Sequence, residues 1–383
     1  MKQIRSSSSL THVALFEMAH VCKKVTLMKK NASSKESGEQ ASLTLAPFTP
    51  DTSNNEYAAL KQIVKKRGLL DKQPVYYTIR ICLLAGLLVA GLVFLLTVRI
   101  GWLQLLNALY LAFVFTQIGL LSHEAGHRQM FHRSWKHDLV SLVGGNLFIG
   151  MSYAWWLDKH NNHHSHPNQL DMDPDIEIPF LEFTGKEDLQ QVGKFRQFLI
   201  KHQKYIFFPA LMTVSVGLQY NSVMFLLRNR PKYYVLEWAL FIAHFVLYFA
   251  LVFSVLGIWQ ALLFILIHQA FTGLYLGSIF APNHKGMPVL DKKSKVGFLH
   301  RQVLTARNIY AGPLTDFWYG GLNYQIEHHL FPGMPRNKLK EAQKIVKIFC
   351  QEYDISYHET TFLQSYKEIL QYLHEIGAPL RKA

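Results

Sequence analysis

The chain has 383 residues, half of them hydrophobic, and a formal net charge of +14 at pH 7. Its apolar residues are concentrated in blocks of about 20, the length at which a helix crosses a bilayer. This distribution excludes an ordinary soluble enzyme and indicates a polytopic membrane protein with aqueous parts. Basic residues such as Lys65, Lys66 and Arg67 flank the apolar blocks. The charge therefore indicates anionic lipid headgroups as partners and not nucleic acid.

Cysteine use restricts the kind of metal site that the chain can hold. The three cysteines are Cys22, Cys82 and Cys350, and no two of them form a CxxC pair. Neither a disulfide framework nor a thiolate metal site is therefore predicted. Any bound metal must be held by histidine and carboxylate.

Composition divides the chain into three regions. Residues 1–55 are rich in Ser, Lys, Asn and Thr and are predicted to be a poorly ordered leader. Residues 56–350 contain the apolar blocks and are predicted to be the membrane domain with a cytosolic cap. Residues 351–383 have amphipathic patterning and are predicted to be a helical tail.

Four apolar blocks are predicted to be transmembrane helices, arranged as two hairpins in an all-α membrane protein. They cover about residues 77–98, 105–121, 234–256 and 259–280. A fifth block at 205–227 contains Pro209, Gln219 and Asn221, and is predicted to lie along the interface. A weaker block at 139–157 is predicted not to cross. Basic residues precede the first span, so both termini and the aqueous histidines are placed in the cytoplasm.

Seven histidines fall into three clusters at the ends of spans or in aqueous segments. Spacings of i, i+3 and i+4 place imidazoles on one face of a helix. An adjacent pair diverges by one helical step, so one helix can supply ligands to two metals. Gln325 has the position in the third cluster that His160 has in the second. The clusters are His123 and His127; His160, His163 and His164; and His328 and His329.

These imidazoles indicate two metal ions, because a structural zinc site needs only four ligands and commonly uses cysteine. His284, just beyond the last span, is a candidate for an eighth ligand. Nitrogen ligation suits iron, zinc or copper, and iron is favoured because it adds redox reactivity with O2. The sequence therefore predicts two non-haem iron ions, with O2 as co-substrate.

Polar residues near the clusters are candidates to orient the imidazoles, because a ligating histidine donates its second N–H to an acceptor. Asp171, Asp173 and Asp175 are predicted instead to cap helices and solvate a loop. His166 is predicted to lie outside the ligand set, and His244 and His268, inside spans, are predicted to be packed neutral groups. The candidate acceptors are Glu124, Asp158, Asp316, Gln325 and Glu327.

The three clusters resemble the histidine boxes of the membrane fatty-acid desaturase superfamily. The third box, with Gln325 first, is similar to that of front-end desaturases and their bacterial acyl-lipid or acyl-CoA relatives. Further similarity lies at Asn283-His284, at Thr305-Ala-Arg-Asn308 and at Asp316-Phe-Trp318. The resemblance covers about residues 75–350.

The resemblance implies four membrane helices, a cytosolic di-iron cap that includes His284, and a narrow tunnel for the acyl chain. Trp155 and Trp156 are candidates for the tunnel mouth. No His-Pro-Gly-Gly motif of a fused cytochrome b5 domain occurs in the sequence. Electrons are therefore expected from a separate ferredoxin, or from cytochrome b5 with its reductase. A bacterial cell membrane is the favoured location, and the endoplasmic reticulum is the alternative.

The predicted activity is O2-dependent desaturation of a lipid-bound or CoA-bound acyl chain, with a cis double bond as product. One alternative is a di-iron hydroxylase of an alkyl or sphingolipid chain, which would yield a hydroxylated product. Another is a histidine-rich zinc transporter or metal sensor. Bond position, chain length and acyl carrier depend on the tunnel and do not follow from the sequence.

Overall fold

The structure, a computed structural model, describes residues 50–178 and 180–382. Residues 1–49 of the predicted leader therefore lie outside the described residues, and its last six residues, 50–55, are helical. The elements are α1 (Pro50–Lys66), α2 (Pro74–Thr97), α3 (Gly101–Gly126), α4 (Ser134–Ser141), a π-helix (Leu142–Ile149), α5 (Tyr153–Ser165), α6 (Lys194–Lys201), α7 (Gln203–Leu211), α8 (Val214–Arg228), α9 (Tyr234–Val255), α10 (Ile258–His284), α11 (Phe298–Leu304), β1 (Asn308–Ile309), α12 (Pro313–Trp318), α13 (Gln325–Leu330), a 3-10 helix (Arg336–Lys338), α14 (Leu339–Glu352), β2 (Glu359–Thr360), α15 (Phe362–Ile376) and α16 (Ala378–Lys382).

Four helices in the described residues, α2, α3, α9 and α10, are long and apolar enough to cross a membrane. They have 24, 26, 22 and 27 residues, so each exceeds the roughly 20 residues that span the hydrocarbon core. The predicted all-α fold with four spans is confirmed. Helices α2 and α9 present large apolar side chains to the surface along their length, among them Val89 and Val246. These exposed faces are the surfaces that lipid covers.

Polar side chains within the first hairpin satisfy backbone carbonyls that water cannot reach. Gln104 Nε2, in α3, donates to the carbonyls of Leu95 and Val98 at 3.3 and 2.6 Å, at the end of α2. One helical turn later, Asn107 Nδ2 donates to the Gly91 carbonyl at 3.1 Å. These contacts hold α2 and α3 together in one register.

The predicted interfacial block is divided between α7 and α8, which meet at an angle of 71°. The bend follows Pro209, which lies inside α7 and removes a backbone donor from the helix. The weaker block forms the end of α4, the π-helix and the start of α5. With α2, α3, α9 and α10 as the four spans, every histidine cluster lies on the same side of the membrane.

The aqueous part packs around two cores. One core joins α1, α11, α13 and α14, through residues such as Leu60, Val303, Ile326 and Val346. The other joins α7 and α10 to the last long helix, α15. The parallel pair of Asn308–Ile309 and Glu359–Thr360 also ties the C-terminal segment to the cap. The division at residue 350 stays a prediction. Residues beyond it pack into both of these cores.

Candidate metal centre

Five imidazoles from three helices converge on one point. The group comprises two residues from the end of α3, two from α5 and one from α13, and its ligand atoms all lie within 4.8 Å of one another. His160 Nε2 is central to it. It lies 3.0 Å from His123 Nε2, 2.8 Å from His127 Nε2 and 3.0 Å from His164 Nε2. The fifth member is His328, whose Nε2 is buried without a hydrogen-bond partner.

Hydrogen bonds alone do not account for this convergence. A ring nitrogen has one N–H to donate or one lone pair to accept with, so His160 Nε2 cannot bond all three neighbours. A cation bound by the lone pairs satisfies every nitrogen at once. Metal–nitrogen bonds are ~2.1 Å long, so nitrogens separated by 2.8–3.0 Å are close enough to bind one cation.

A second group lies beside the first and consists of His163, His284 and His329. His284 Nε2 is 3.1 Å from His329 Nε2 and 2.9 Å from the side-chain nitrogen of Gln325. Asn283 Nδ2 donates to Gln325 Oε1 at 2.9 Å, and Asn283 Oδ1 is left without a partner. Rotating both amides by a half turn would turn Gln325 Oε1 toward the group and give Asn283 Oδ1 a donor. Gln325 is thus placed against the second group.

Two helices supply both groups. On α5, the i, i+4 pair His160 and His164 faces the first group, while His163 faces the second. On α13, His328 joins the first group and His329 the second. The adjacent pairs diverge because neighbouring residues on a helix differ by about 100° in direction. The eight predicted histidines are therefore brought together as five and three.

Burial favours the neutral state of the following five imidazoles, and this is the state that binds a metal. It lowers the pKa of His127 to about 3. Desolvation, with neighbouring imidazoles as a second cause, lowers the pKa of His160, His164, His328 and His329 well below 6.5. Their lone pairs are available throughout the physiological pH range.

Three acceptors orient the second group. The Asp173 carboxylate accepts from His163 Nδ1 at 2.9 Å. The Thr305 carbonyl lies 2.9 Å from His284 Nδ1, and Gln302 Oε1 lies 2.8 Å from His329 Nδ1. Asp173 also accepts from backbone N–H groups, so the capping predicted for it is only part of its contacts. Gln302 and Thr305 were not among the predicted residues, since no local spacing connects them to a box.

The predicted carboxylate acceptors have other partners in the structure. Glu124 lies between Arg80 and Arg336, at 3.7 and 3.6 Å. Asp158 is exposed. Glu124 is thus engaged by two arginines, and Asp158 turns outward to solvent.

The remaining two carboxylates stabilise the third-box segment. Asp316 accepts from Asn323 Nδ2 and the Tyr324 hydroxyl, both at 2.9 Å. Glu327 is fully buried and accepts from Asn308 Nδ2 at 2.7 Å and from the Tyr357 hydroxyl at 2.9 Å. Burial raises the pKa of Glu327 to about 7. Both hold the backbone that carries the third cluster.

Trp156 covers the first group. Its ring stacks on His160, with centroids 4.5 Å apart and planes at 24°, and packs edge-on against His123 and His127. A Cβ added at Gly126 would lie 2.2 Å from Trp156 Cζ3. Gly126 therefore provides the space that this indole ring occupies.

We expect Gly126→Ala to displace Trp156, to release His160 from its stack and to lower metal affinity about 10–100-fold, the range for partners of metal ligands. Cobalt titration of the purified protein measures the affinity. Gly86→Ala is the matched control, because Gly86 is also helical and a Cβ there meets no atom within 4 Å. Equal affinities for the two variants would contradict the expectation.

Gln302→Leu is expected to weaken metal binding by a similar factor of about 10–100. The change removes the acceptor of His329 Nδ1 and also the donor to the His164 carbonyl at 2.9 Å. Isothermal titration with cobalt checks the prediction. Gln371→Leu, on an exposed face of α15, should leave affinity unchanged, and a comparable loss there would argue against a specific role for Gln302.

The comparisons with known proteins agree with this geometry. The family model described as "Fatty acid desaturase" matches residues 100–361, which include all three clusters and His284. The chain belongs to the fatty acid desaturase family. Family membership accounts for a histidine-rich metal site beside four membrane helices, and it places the chain among membrane oxidoreductases with fatty-acyl substrates and an electron donor. The transporter and sensor alternatives are therefore wrong.

Individual relatives of this desaturase family member are similar over most of the chain. It is 27% identical over 333 residues to the acyl-lipid (9-3)-desaturase of Physcomitrium patens, covering 84% of this chain and 62% of the moss protein. Identity is 30% to the Delta(6)-fatty-acid desaturase fat-3 of Caenorhabditis elegans, covering 84% and 74%. It is also 30% to the Delta(8)-fatty-acid desaturase of Euglena gracilis, covering 83% and 78%.

Proposed function

We propose that this protein is an O2-dependent acyl desaturase that introduces a cis double bond into the acyl chain of a lipid or of acyl-CoA. The observation that carries the proposal is the pair of imidazole groups, five and three, in a chain of the fatty acid desaturase family. The front-end-like third box and the relatives named for Delta(6) and Delta(8) activity support a bond on the carboxyl side of the chain.

The residues proposed to hold two iron ions are the eight histidines. His123, His127, His160, His164 and His328 would hold one, and His163, His284 and His329 the other, with Gln325 beside them. Bound iron would supply the oxidation of an unactivated C–H bond with O2, which no side chain provides. Iron is proposed in place of zinc because zinc has no redox chemistry of its own.

The protein's own part is to hold these ligands neutral and oriented. Asp173 places its negative charge on the Nδ1 side of His163, which fixes the ring and raises its basicity toward a metal. Trp156 and the buried ends of α3 and α10 exclude water from the groups. One –CH2–CH2– unit would become –CH=CH– as O2 is reduced to two waters, with two electrons and two protons supplied from outside the substrate.

An apolar cavity of about 180 Å3 lies between the four spanning helices. Leu111, Phe115, Leu251 and Phe264 are among its lining residues. Phe115 precedes His123 by eight residues in α3, which is about 12 Å along the helix. We propose that this cavity receives the methyl end of an acyl chain whose reacting carbons lie at the metal groups.

The electron donor is proposed to be a separate ferredoxin, or cytochrome b5 with its reductase, that docks on the cytoplasmic side. The positive residues before α2 support this orientation. We further propose a bacterial cell membrane as the location, with the endoplasmic reticulum as the alternative. The division into a leader, a membrane domain and a tail at residues 55 and 350 is part of the same proposal.

Lipid profiling of cells that express the protein tests this function. We expect new unsaturated acyl chains, with mapped double bonds, that form only with O2 and with an active electron donor. Metal analysis should find iron near two per chain. Hydroxylated chains in place of unsaturated ones would support the hydroxylase alternative, and zinc without O2-dependent turnover would overturn the iron assignment.

A further inference from the structure

The amino-terminal end of α5 has an acceptor for each of its first four N–H groups, which no helix can satisfy by its own backbone. Ser152 N donates to Ser222 Oγ at 2.9 Å, and Tyr153 N donates to Asn146 Oδ1 at 3.1 Å. Ala154 N donates to Glu237 Oε2 at 3.3 Å. Trp155 N donates to Ser152 Oγ at 3.1 Å. The acceptors come from α8, the π-helix, α9 and Ser152, the residue that precedes α5.

Glu237 is the centre of this network. Its Oε2 also accepts from Ser152 Oγ at 2.6 Å and from Asn146 Nδ2 at 3.3 Å. Glu237, Asn146, Ser152 and Ser222 are each fully buried. A carboxylate at a helix amino terminus is also favoured by the helix dipole. One side chain in the first turn of a spanning helix therefore holds both the cap of α5 and the π-helix before it.

Helix α5, which is held in this way, carries His160 and His164 of the first imidazole group and His163 of the second. It also carries Trp156, which stacks on His160. His160 lies six residues beyond Ala154, about 9 Å along the axis. A tilt of roughly 10° at the anchored end would move the His160 imidazole by about 1.6 Å at that rise per residue. Such a shift exceeds the tolerance of about 0.5 Å within which the groups of a binding or catalytic site must be held.

We propose that Glu237 is a positioning residue for the second histidine box. It sets the tilt and rotation of α5, so that His160 and His164 meet one metal and His163 meets the other. The inference rests on the proposed metal site but not on the identity of the metal or the product. Glu237 acts through α5 and is not itself a ligand.

The test is cobalt titration of detergent-purified protein, with affinity and the visible absorption spectrum of bound Co2+ as readouts. Glu237→Leu should lower affinity by about 10–100-fold, as loss of a ligand-orienting partner does, and should change the spectrum. Glu237→Gln should restore both to near wild-type values, because one amide oxygen can accept the bonds that Oε2 accepts. Wild-type affinity and spectrum in Glu237→Leu would overturn the proposal, and so would a Gln variant as impaired as the Leu variant.

Two serines on α8 keep the proposal testable if Glu237→Leu does not fold. Ser222 and Ser215 are both buried, but only Ser222 bonds to α5, while Ser215 Oγ donates to Gln269. Ser222→Ala should lower cobalt affinity and Ser215→Ala should not; equal effects would contradict the inference. Failure of wild-type protein to bind Co2+ would refute the metal site itself, whereas loss confined to product formation would leave the positioning role intact.

Discussion

Replacement of His163 by alanine is expected to abolish desaturation while the protein still inserts into the membrane. The second group has only three histidines, so the loss of one leaves too few nitrogen ligands to hold an ion. The change also leaves the buried Asp173 carboxylate without its imidazole partner. Product analysis in membranes and iron content per purified chain measure the outcome. We expect activity below about one-hundredth of wild type, which corresponds to more than about 2.7 kcal/mol in the barrier.

His166→Ala provides the matched control, three residues further along the same segment. His166 caps the end of α5 through its backbone N–H, and it is not a member of either imidazole group. Activity near that of wild type is expected. Complete loss of activity in His166→Ala would show that the second box extends beyond His164. Full activity in His163→Ala would remove His163 from the ligand set.

Replacement of Arg307 by alanine is the second change with a large expected effect, in this case on stability. Arg307 is fully buried. Its guanidinium donates to the Pro282 and Lys285 carbonyls at 2.6 and 2.5 Å, on either side of His284, and forms an ion pair with Glu368. The Glu368 carboxylate is 28% exposed, so the main cost is that of buried groups left without a hydrogen-bond partner, about 1–3 kcal/mol each. The carbonyls at the end of α10 would lose their donors at the same time.

Thermal unfolding in detergent and iron content measure the result. We expect a lower melting temperature together with loss of metal from the group that contains His284. Arg67→Ala, at an exposed arginine, should change neither quantity. An unchanged melting temperature in Arg307→Ala would show that the end of α10 is held by other contacts.

Much of the fold could be predicted because the bilayer imposes a strong constraint. The predicted spans agree with α2, α3, α9 and α10 to within a few residues at most ends. The largest difference is at the end of α3, which continues five residues past the predicted end, to Gly126. Helix α10 continues four residues past the apolar block, through Pro282 to His284. Composition does not show this extension, because its stability comes from Arg307 and from packing against α15.

The sequence predicted which histidines come together in the candidate site, but not how they divide into the group of five and the group of three. Local spacing identifies which histidines share a helix face, and it indicated two metals. Whether an imidazole joins the group of five or the group of three depends on how α3, α5, α10 and α13 are placed in space. The contacts of Asp173 and Gln302 with the imidazoles were missed for the same reason, since both residues reach the imidazoles from other segments. The ligand roles themselves stay predictions until metal is measured.

Sequence adjacency was a poor guide to the orienting groups. Glu124 and Glu327 are each next to a box histidine, yet they pair with arginines or with Asn308 and Tyr357. The direction of a side chain changes by about 100° from one helical residue to the next. The step from two metals to desaturation came from family resemblance, and the match over residues 100–361 supports it.

The contacts of the C-terminal segment have a consequence for the order of events during synthesis. Tyr357 and Glu368 hold, through Glu327 and Arg307, the segments that carry His328 and His284. Translation proceeds from the amino terminus, so the spans and the first two boxes emerge before these two residues exist. The binding site for the metals can reach its final form only after nearly the whole chain has left the ribosome. We therefore expect the proposed metal loading to be a late step, and a ribosome-stalled chain that ends before Tyr357 to insert into the membrane without acquiring iron.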